Sequence, residues 1–290
     1  MKPNINLANP IVKKAINEYQ KIMIEALEIP QDVEKAVLPI YFPPKLNKKP
    51  IQIASGVLVC IKNEYLIFSA SHVFDSIGNY QLLTGDSAGN LILSIEGERF
   101  STGKGKSGTL TDDPIDASVF QIKSFIPDSL KDLAITIQEF DLSPSHIDKN
   151  SVYIAAGFRS KKSNTSGNVI KSKREGWPSI EISDDEYIRN KMDANYSIAL
   201  RYENQILLNG IWQTSPTPKG FSGGAIIRLD GMNILNEETT KSDKKQLLSG
   251  IIIEQRRGKG NEKGILIGTR IDVHLTLIKH FLPELLDDSY

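Results

Sequence analysis

Three short strings of the 290-residue chain carry side chains whose types suit one piece of chemistry. Phe68-Ser69-Ala70-Ser71-His72-Val73 places a histidine at the end of the second arm of an expected hairpin. Asp116-Ala117-Ser118-Val119-Phe120-Gln121-Ile122 opens an apolar strand with an acid, and Lys219-Gly220-Phe221-Ser222-Gly223-Gly224-Ala225 sets a serine among glycines. A serine hydroxyl is a poor nucleophile at neutral pH and needs an adjacent base. Imidazole has the pKa to take that proton and return it to a leaving group. A buried carboxylate fixes the imidazole tautomer and stabilises the imidazolium. Glycines let main-chain N–H groups approach a developing oxyanion, and Gly220 and Ser222 are the expected donors.

Singly, each string has a blander reading. A histidine at a strand end is more often structural, Ser-Gly-Gly is commonly a turn, and an Asp before a strand is commonly a turn acid. Asp112 and Asp113 rival Asp116 for the acid; Asp116 is preferred because it touches the apolar strand, whereas the other two precede Pro114. Other signals carry less. Gly103-Lys104-Gly105-Lys106-Ser107 lacks the leading glycine of a phosphate-binding loop, which is Phe100 here. His146, His274 and His280 have no metal-ligand spacing, so no metal and no cofactor is expected. Cys60, inside a strand, reads as a small buried hydrophobe.

The elements that must position these strings are mostly short strands. Val37–Phe42, Gly56–Ile61, Tyr65–Ser69, Leu91–Ile95, Ala117–Ile122, Val152–Ala156, Ser197–Tyr202, Gln205–Leu208, Gly224–Leu229, Leu248–Glu254 and Gly264–Thr269 are apolar or β-branched runs between turn residues. Asn9-Pro10 starts a helix whose apolar stripe (Ile11, Val12, Ala15, Ile16, Tyr19, Met23) runs to Ile29-Pro30. That stripe is expected to pack on its own domain. A closing helix is read from Asp272 to Leu286, and residues 159–174 and 236–246 are read as exposed loops. All-β with one helix at each end is the outline.

Thirty-five basic and thirty-five acidic side chains cancel, which gives no reason to expect nucleic acid or an anionic membrane as partner. The single cysteine allows no internal disulfide and fits a reducing compartment. Met1 to Leu7 lacks the apolar core of a signal peptide, and no stretch approaches the ~18 uncharged apolar residues of a spanning helix. A soluble cytoplasmic protein is the expectation.

From about residue 37 to 285 the sequence resembles the trypsin-like peptidases, of the bacterial type without a PDZ domain. Ser55-Gly56-Val57-Leu58 is similar to that family's strand before the histidine hairpin, and Ser69-Ala70-Ser71-His72 to its Thr-Ala-Ala-His. Asp116-Ala117-Ser118-Val119 resembles Asp-Ile-Ala-Leu, and Gly220-Phe221-Ser222-Gly223-Gly224 its Gly-x-Ser-Gly-Gly. The resemblance implies two six-stranded antiparallel Greek-key barrels, about 37–135 and 145–270, behind a helical extension (1–36) and before a C-terminal helix (272–287). It implies a serine endopeptidase with His72, Asp116 and Ser222 as triad, Gly220 and Ser222 as oxyanion donors, and a protein or peptide substrate. The extended substrate would pair beside Ile251, Ile252 and Ile253, and Pro216 stands where relatives read the substrate side chain. Phe221 replaces the Asp of zymogen-forming relatives, so activation by N-terminal insertion is not expected. Ser71 replaces a usual Ala, a mild change. An intracellular protease needs narrow specificity or a regulatory protein partner, with the N-terminal helix and residues 159–195 as control elements. A catalytically idle binding module on the same fold is the alternative.

Overall fold

A computed structural model describes residues 8–30, 32–42, 49–78, 81–85, 92–103, 105, 113–143, 150–166, 169–208, 211–234, 244–259 and 263–286. Asp112, His146 and most of the expected loop 236–246 lie outside them. Seven strands precede residue 123: β1 (Val37–Phe42), β2 (Ile51–Ile61), β3 (Glu64–Ala70), β4 (Leu82–Gly85), β5 (Ile92–Ile95), β6 (Gly97–Ser101) and β7 (Ala117–Ile122). They form one antiparallel sheet in the order β5-β4-β1-β2-β3-β7-β6. The β2–β3 turn uses Lys62 and Asn63, both at positive φ (48° and 67°), a two-residue geometry that matches the twist of the strands it joins. The strands at the two ends of the sheet, β5 and β6, are separated by Glu96 alone. Two peptide steps span at most about 7 Å, so the ends meet and the sheet curls. Seven strands appear where six were expected because this closing run is broken in the middle.

The second half of the chain supplies β8 (Ser151–Phe158), β9 (Asn164–Ser166), β10 (Val169–Lys171), β11 (Arg174–Ile180), β12 (Ser197–Arg201), β13 (Gln205–Leu208), β14 (Ile211–Thr214), β15 (Ala225–Asn233), β16 (Lys245–Arg256) and β17 (Ile265–Arg270). Six of these make a second antiparallel sheet, β11-β8-β15-β16-β17-β12, and an isolated bridge between Glu181 and Leu200 draws its edges together. β9 with β10 and β13 with β14 form separate hairpins. The helices are α1 (Pro10–Ala26), α2 (Ser71–Ile77), α3 (Asp128–Lys131), α4 (Asp184–Arg189) and α5 (Ile271–Phe281). The fold is therefore mostly antiparallel β, two curled half-barrels with few helices. Among the described residues no helix is long and apolar enough to cross a membrane.

One core joins the two sheets. Val57, Val59, Leu66 and Phe68 of the first pack in a single buried cluster with Ile154, Ile227, Leu248 and Ile251 of the second and with Ile271 and Ile278 of α5. Each such side chain contributes roughly 1.5–3 kcal/mol by leaving water, so the half-barrels are held at a fixed mutual position. Asn9 caps α1, its side chain accepting from Ile11 N–H at 2.9 Å. Met23 and Ala26 of α1 join the same core, so the helix packs on its own domain as expected.

Two expectations are corrected. In place of the exposed loop expected over 159–174 stand β9, β10 and the start of β11, which pairs along its length with β8. The polar letters there hid an edge strand whose Glu175 pairs with Arg159 (2.7 Å) and whose Arg174 donates to the Glu34 carbonyl (2.6 Å). The wider segment 159–195 also carries α4, which is tied down: Glu186 pairs with Arg201, and nearby Glu181 pairs with Arg270 at 2.7 Å. Finally, α5 stops at Phe281 rather than running on to 287, because Pro283 brings no N–H to a continuing helix; a 3-10 turn, Pro283–Leu285, follows.

Candidate active site

Asp116 sits at the mouth of β7 with φ +52°, a left-handed conformation that Asp tolerates better than most side chains. The turn aims its carboxylate back at the end of β3. Oδ1 accepts from Ser71 Oγ (2.6 Å) and from His72 N–H (2.9 Å), and Oδ2 lies 2.5 Å from His72 Nδ1. Ser71 N–H also donates to the Asp116 carbonyl at 3.1 Å. With the neutral imidazole donating from Nδ1 to this carboxylate, the Nε2 lone pair would be free to take a proton. The acid is nearly covered and the imidazole is not, with side-chain exposures of 11% and 33%. Ser71 is therefore more than a mild replacement: it supplies a buried donor to the acid. Asp113 is a turn acid, accepting from Thr102 Oγ1 and from Ile115 N–H (3.0 Å).

His72 itself lies in the first turn of α2, a helix the sequence reading missed. Its seven residues continue the apolar run of β3 through Val73, Phe74 and Ile77, so the change from strand to helix left no clear break in pattern. Behind the dyad, His274 of α5 is fully buried and stacks on Phe68 with ring centroids 5.2 Å apart. Burial pushes its pKa down to about 4, against the hydrogen bond from its Nε2 to the Ser69 carbonyl. It is a neutral side chain supporting the hairpin that carries His72.

The serine lies on the other half-barrel, in a turn between Gly220 (φ +102°) and Gly223 (φ +82°). Ser55 of β2 fixes that turn from across the interface. Its N–H donates to the Ser222 carbonyl (2.8 Å), and its hydroxyl donates to the Gly220 carbonyl (2.8 Å) while accepting from Phe158 N–H (2.9 Å). Phe221 N–H donates to Pro218, Gly223 N–H to Ile252 and Gly224 N–H to Phe221. Among the described residues, the N–H groups of Gly220 and Ser222 enter no hydrogen bond. With carbonyls 220 and 222 pinned to Ser55, these two donors are the ones left for a ligand. Gly223 backs onto Ser69, three residues before His72, so closely that an added Cβ would lie 2.1 Å from Ser69 Oγ. The serine turn and the histidine hairpin are thereby in contact. No hydrogen bond joins Ser222 Oγ to His72 among the described residues.

No family model matches this chain, and no curated protein matches it in sequence.

The cleft beside the dyad has a volume of about 610 Å³ and is lined by His72, Asp116, Tyr196, Ile253 and Glu254, among others. Of the three isoleucines expected along a substrate, only Ile253 lines it. Ile251 and Ile252 are buried in the core, and both main-chain groups of Ile252 are engaged by Gly223 and Gly224. A register shift between Ile252 and Glu254 turns Ile253 outward. Pro216 is half-buried, its carbonyl accepting from Tyr202 OH at 2.7 Å. Sequence reasoning missed the staple made by Ser55 and the carboxylate of Glu254 at the cleft; only the Ser55-Gly56 string pointed toward the first.

Proposed function

We propose that the chain is a trypsin-like serine endopeptidase with two chymotrypsin-like Greek-key barrels, acting on a protein or peptide substrate in the cytoplasm under partner control. In this reading Ser222 Oγ attacks the scissile carbonyl while His72 Nε2 takes the hydroxyl proton. The oxyanion of the tetrahedral intermediate accepts from Gly220 and Ser222 N–H, an arrangement in which each donor is worth roughly 10²–10³ in turnover. His72 then gives the proton to the leaving amine, the C–N bond breaks, and an acyl-serine remains. Water, deprotonated by His72, hydrolyses that ester and restores the hydroxyl. Asp116 keeps the imidazole in the tautomer this sequence needs and stabilises the imidazolium that forms.

The observation that carries the reading is the Gly220–Ser222 turn. Its two N–H groups are left without partners among the described residues while those of Phe221, Gly223 and Gly224 are used, and Gly223 backs onto Ser69, three residues before His72 of the His–Asp pair. Incubation with a fluorophosphonate tests it, followed by peptide mass mapping. A single adduct on Ser222, absent from Ser222→Ala and formed far more slowly in Asp116→Asn, is expected; an unlabelled native protein overturns the reading. A second reading, a catalytically idle binding module, is favoured by the missing Ser222–His72 hydrogen bond. Hydrogen bonds of this kind commonly tighten only when substrate is bound. The same labelling separates the two readings.

A further inference from the structure

We propose that the cavity between α1 and the second sheet is a binding site for a hydrophobic organic cation, a ring-bearing molecule with a fixed or protonated positive charge. The cavity measures about 600 Å³, inside the roughly 300–1,000 Å³ of small-molecule sites, and shares no lining residue with the cleft at His72. Protein interiors rarely leave apolar space of that size unfilled. Here the floor is apolar, with Ile16 and Met23 of α1 facing Leu266 of β17.

The walls give the chemistry. Both tryptophans of the chain, Trp177 of β11 and Trp212 of β14, line the cavity together with Tyr19 and Tyr202. The rings of Trp177 and Tyr202 stand 5.0 Å apart at 34°. Aromatic faces carry negative quadrupole charge and attract a cation placed over them. Two ionised groups sit in the wall, Arg201 and Glu203. Arg201 is already answered, donating through both terminal nitrogens to the carboxylate of Glu186. The carboxylate of Glu203, an exposed residue at the cavity's edge, enters no hydrogen bond or ion pair among the described residues. The phenol of Tyr19 has its pKa raised by burial, lowered by Arg201 and raised by Glu203, so both charges reach the same space. One unanswered carboxylate at the edge of an aromatic-lined apolar cavity selects a positive charge on an apolar body.

Two ions of the same shape and opposite charge, tetraphenylphosphonium and tetraphenylborate, test this in titrations read by intrinsic tryptophan fluorescence. Because both tryptophans line the cavity, occupancy changes the signal without any assay of activity. The cation is expected to bind saturably and about tenfold or more tighter than the anion. Glu203→Gln should bring the two within about threefold. Ala15→Phe, at an exposed position of α1 on the cavity wall, should weaken the cation by filling the space. Ser222→Ala should bind both ions as the parent does. No saturable change, equal affinity for the two ions, or affinities unmoved by Glu203→Gln and Ala15→Phe would each overturn the proposal.

Discussion

Ser55 and Ser222 stand on different half-barrels, and a main-chain hydrogen bond of 2.8 Å joins the first N–H to the second carbonyl. The hydroxyl of Ser55 adds a bond to the Gly220 carbonyl and takes one from Phe158 N–H. One residue thus holds the turn whose two free N–H groups would meet an oxyanion. Ser55→Ala leaves a buried carbonyl and a buried N–H unpartnered, at about 1–3 kcal/mol each. Urea unfolding should record that loss. On a cleavable peptide, kcat should fall by roughly 10–100-fold with KM little changed, since an oxyanion donor acts mainly in the transition state. An unchanged kcat in a destabilised protein would reduce Ser55 to a structural role.

Ser71 and Asp116 divide a second effect. Asp116→Asn keeps the shape but presents the imidazole with the wrong tautomer, and a loss of about 10⁴-fold in kcat is expected. Ser71→Ala removes one of the donors to the carboxylate and leaves His72 N–H and Nδ1 in place. A loss of roughly tenfold is expected for it, about the worth of one charge-assisted hydrogen bond. Rates of fluorophosphonate labelling measure both without a known substrate, and equal losses in the two variants would contradict this division.

Much of the scaffold was legible because its signals are local. The β2–β3 hairpin announces itself by apolar strands around Lys62-Asn63-Glu64, and α1 by Asn9-Pro10 ahead of a three-and-four stripe. β11 was hidden because it is an edge strand with half-buried polar residues, and α2 because its apolar positions continue those of β3. The candidate site was legible as residue types: Asp116 does precede β7 and Ser222 does sit in a glycine turn, but His72 falls in the first turn of α2 rather than at a strand end. Their supports were not. Ser71 meets a partner 45 residues away and Ser55 one 165 residues away, and no property of a serine in a strand foretells which carbonyl or carboxylate the fold will bring to it.

Gly223 and Gly78 both hold positive φ, +82° and +64°, yet differ in what surrounds them. A Cβ on Gly223 would stand 2.0 Å from the Ser55 carbonyl oxygen, main chain that cannot swing aside, whereas a Cβ on Gly78 would meet nothing within 4 Å among the described residues. Gly78→Ala, at ψ −130° outside the left-handed helical well, should cost only the conformational penalty, about 1–3 kcal/mol. Gly223→Ala must also part the two half-barrels at their contact, and a loss on the order of 4 kcal/mol or more, or failure to accumulate folded protein, is expected. Thermal melts of the pair decide it: similar midpoints would show that the close approach at Gly223 relaxes freely.

His274 gives the fold an acid-sensitive point. Its ordinary pKa of 6.5 falls to about 4 in the folded chain, chiefly through burial, so the unfolded chain binds its proton first as pH drops. The stability this residue contributes is complete above about 6.5 and declines continuously toward pH 4, by about 3 kcal/mol in all. His274→Phe keeps an aromatic ring against Phe68, removes the titrating group and gives up the bond to the Ser69 carbonyl. At pH 7 the variant should be less stable than the parent by about 1 kcal/mol; at pH 4.5 the order should reverse. Urea unfolding of both proteins between pH 7.5 and 4.5 measures the crossing, and parallel curves would mean that His274 keeps an ordinary pKa in the core.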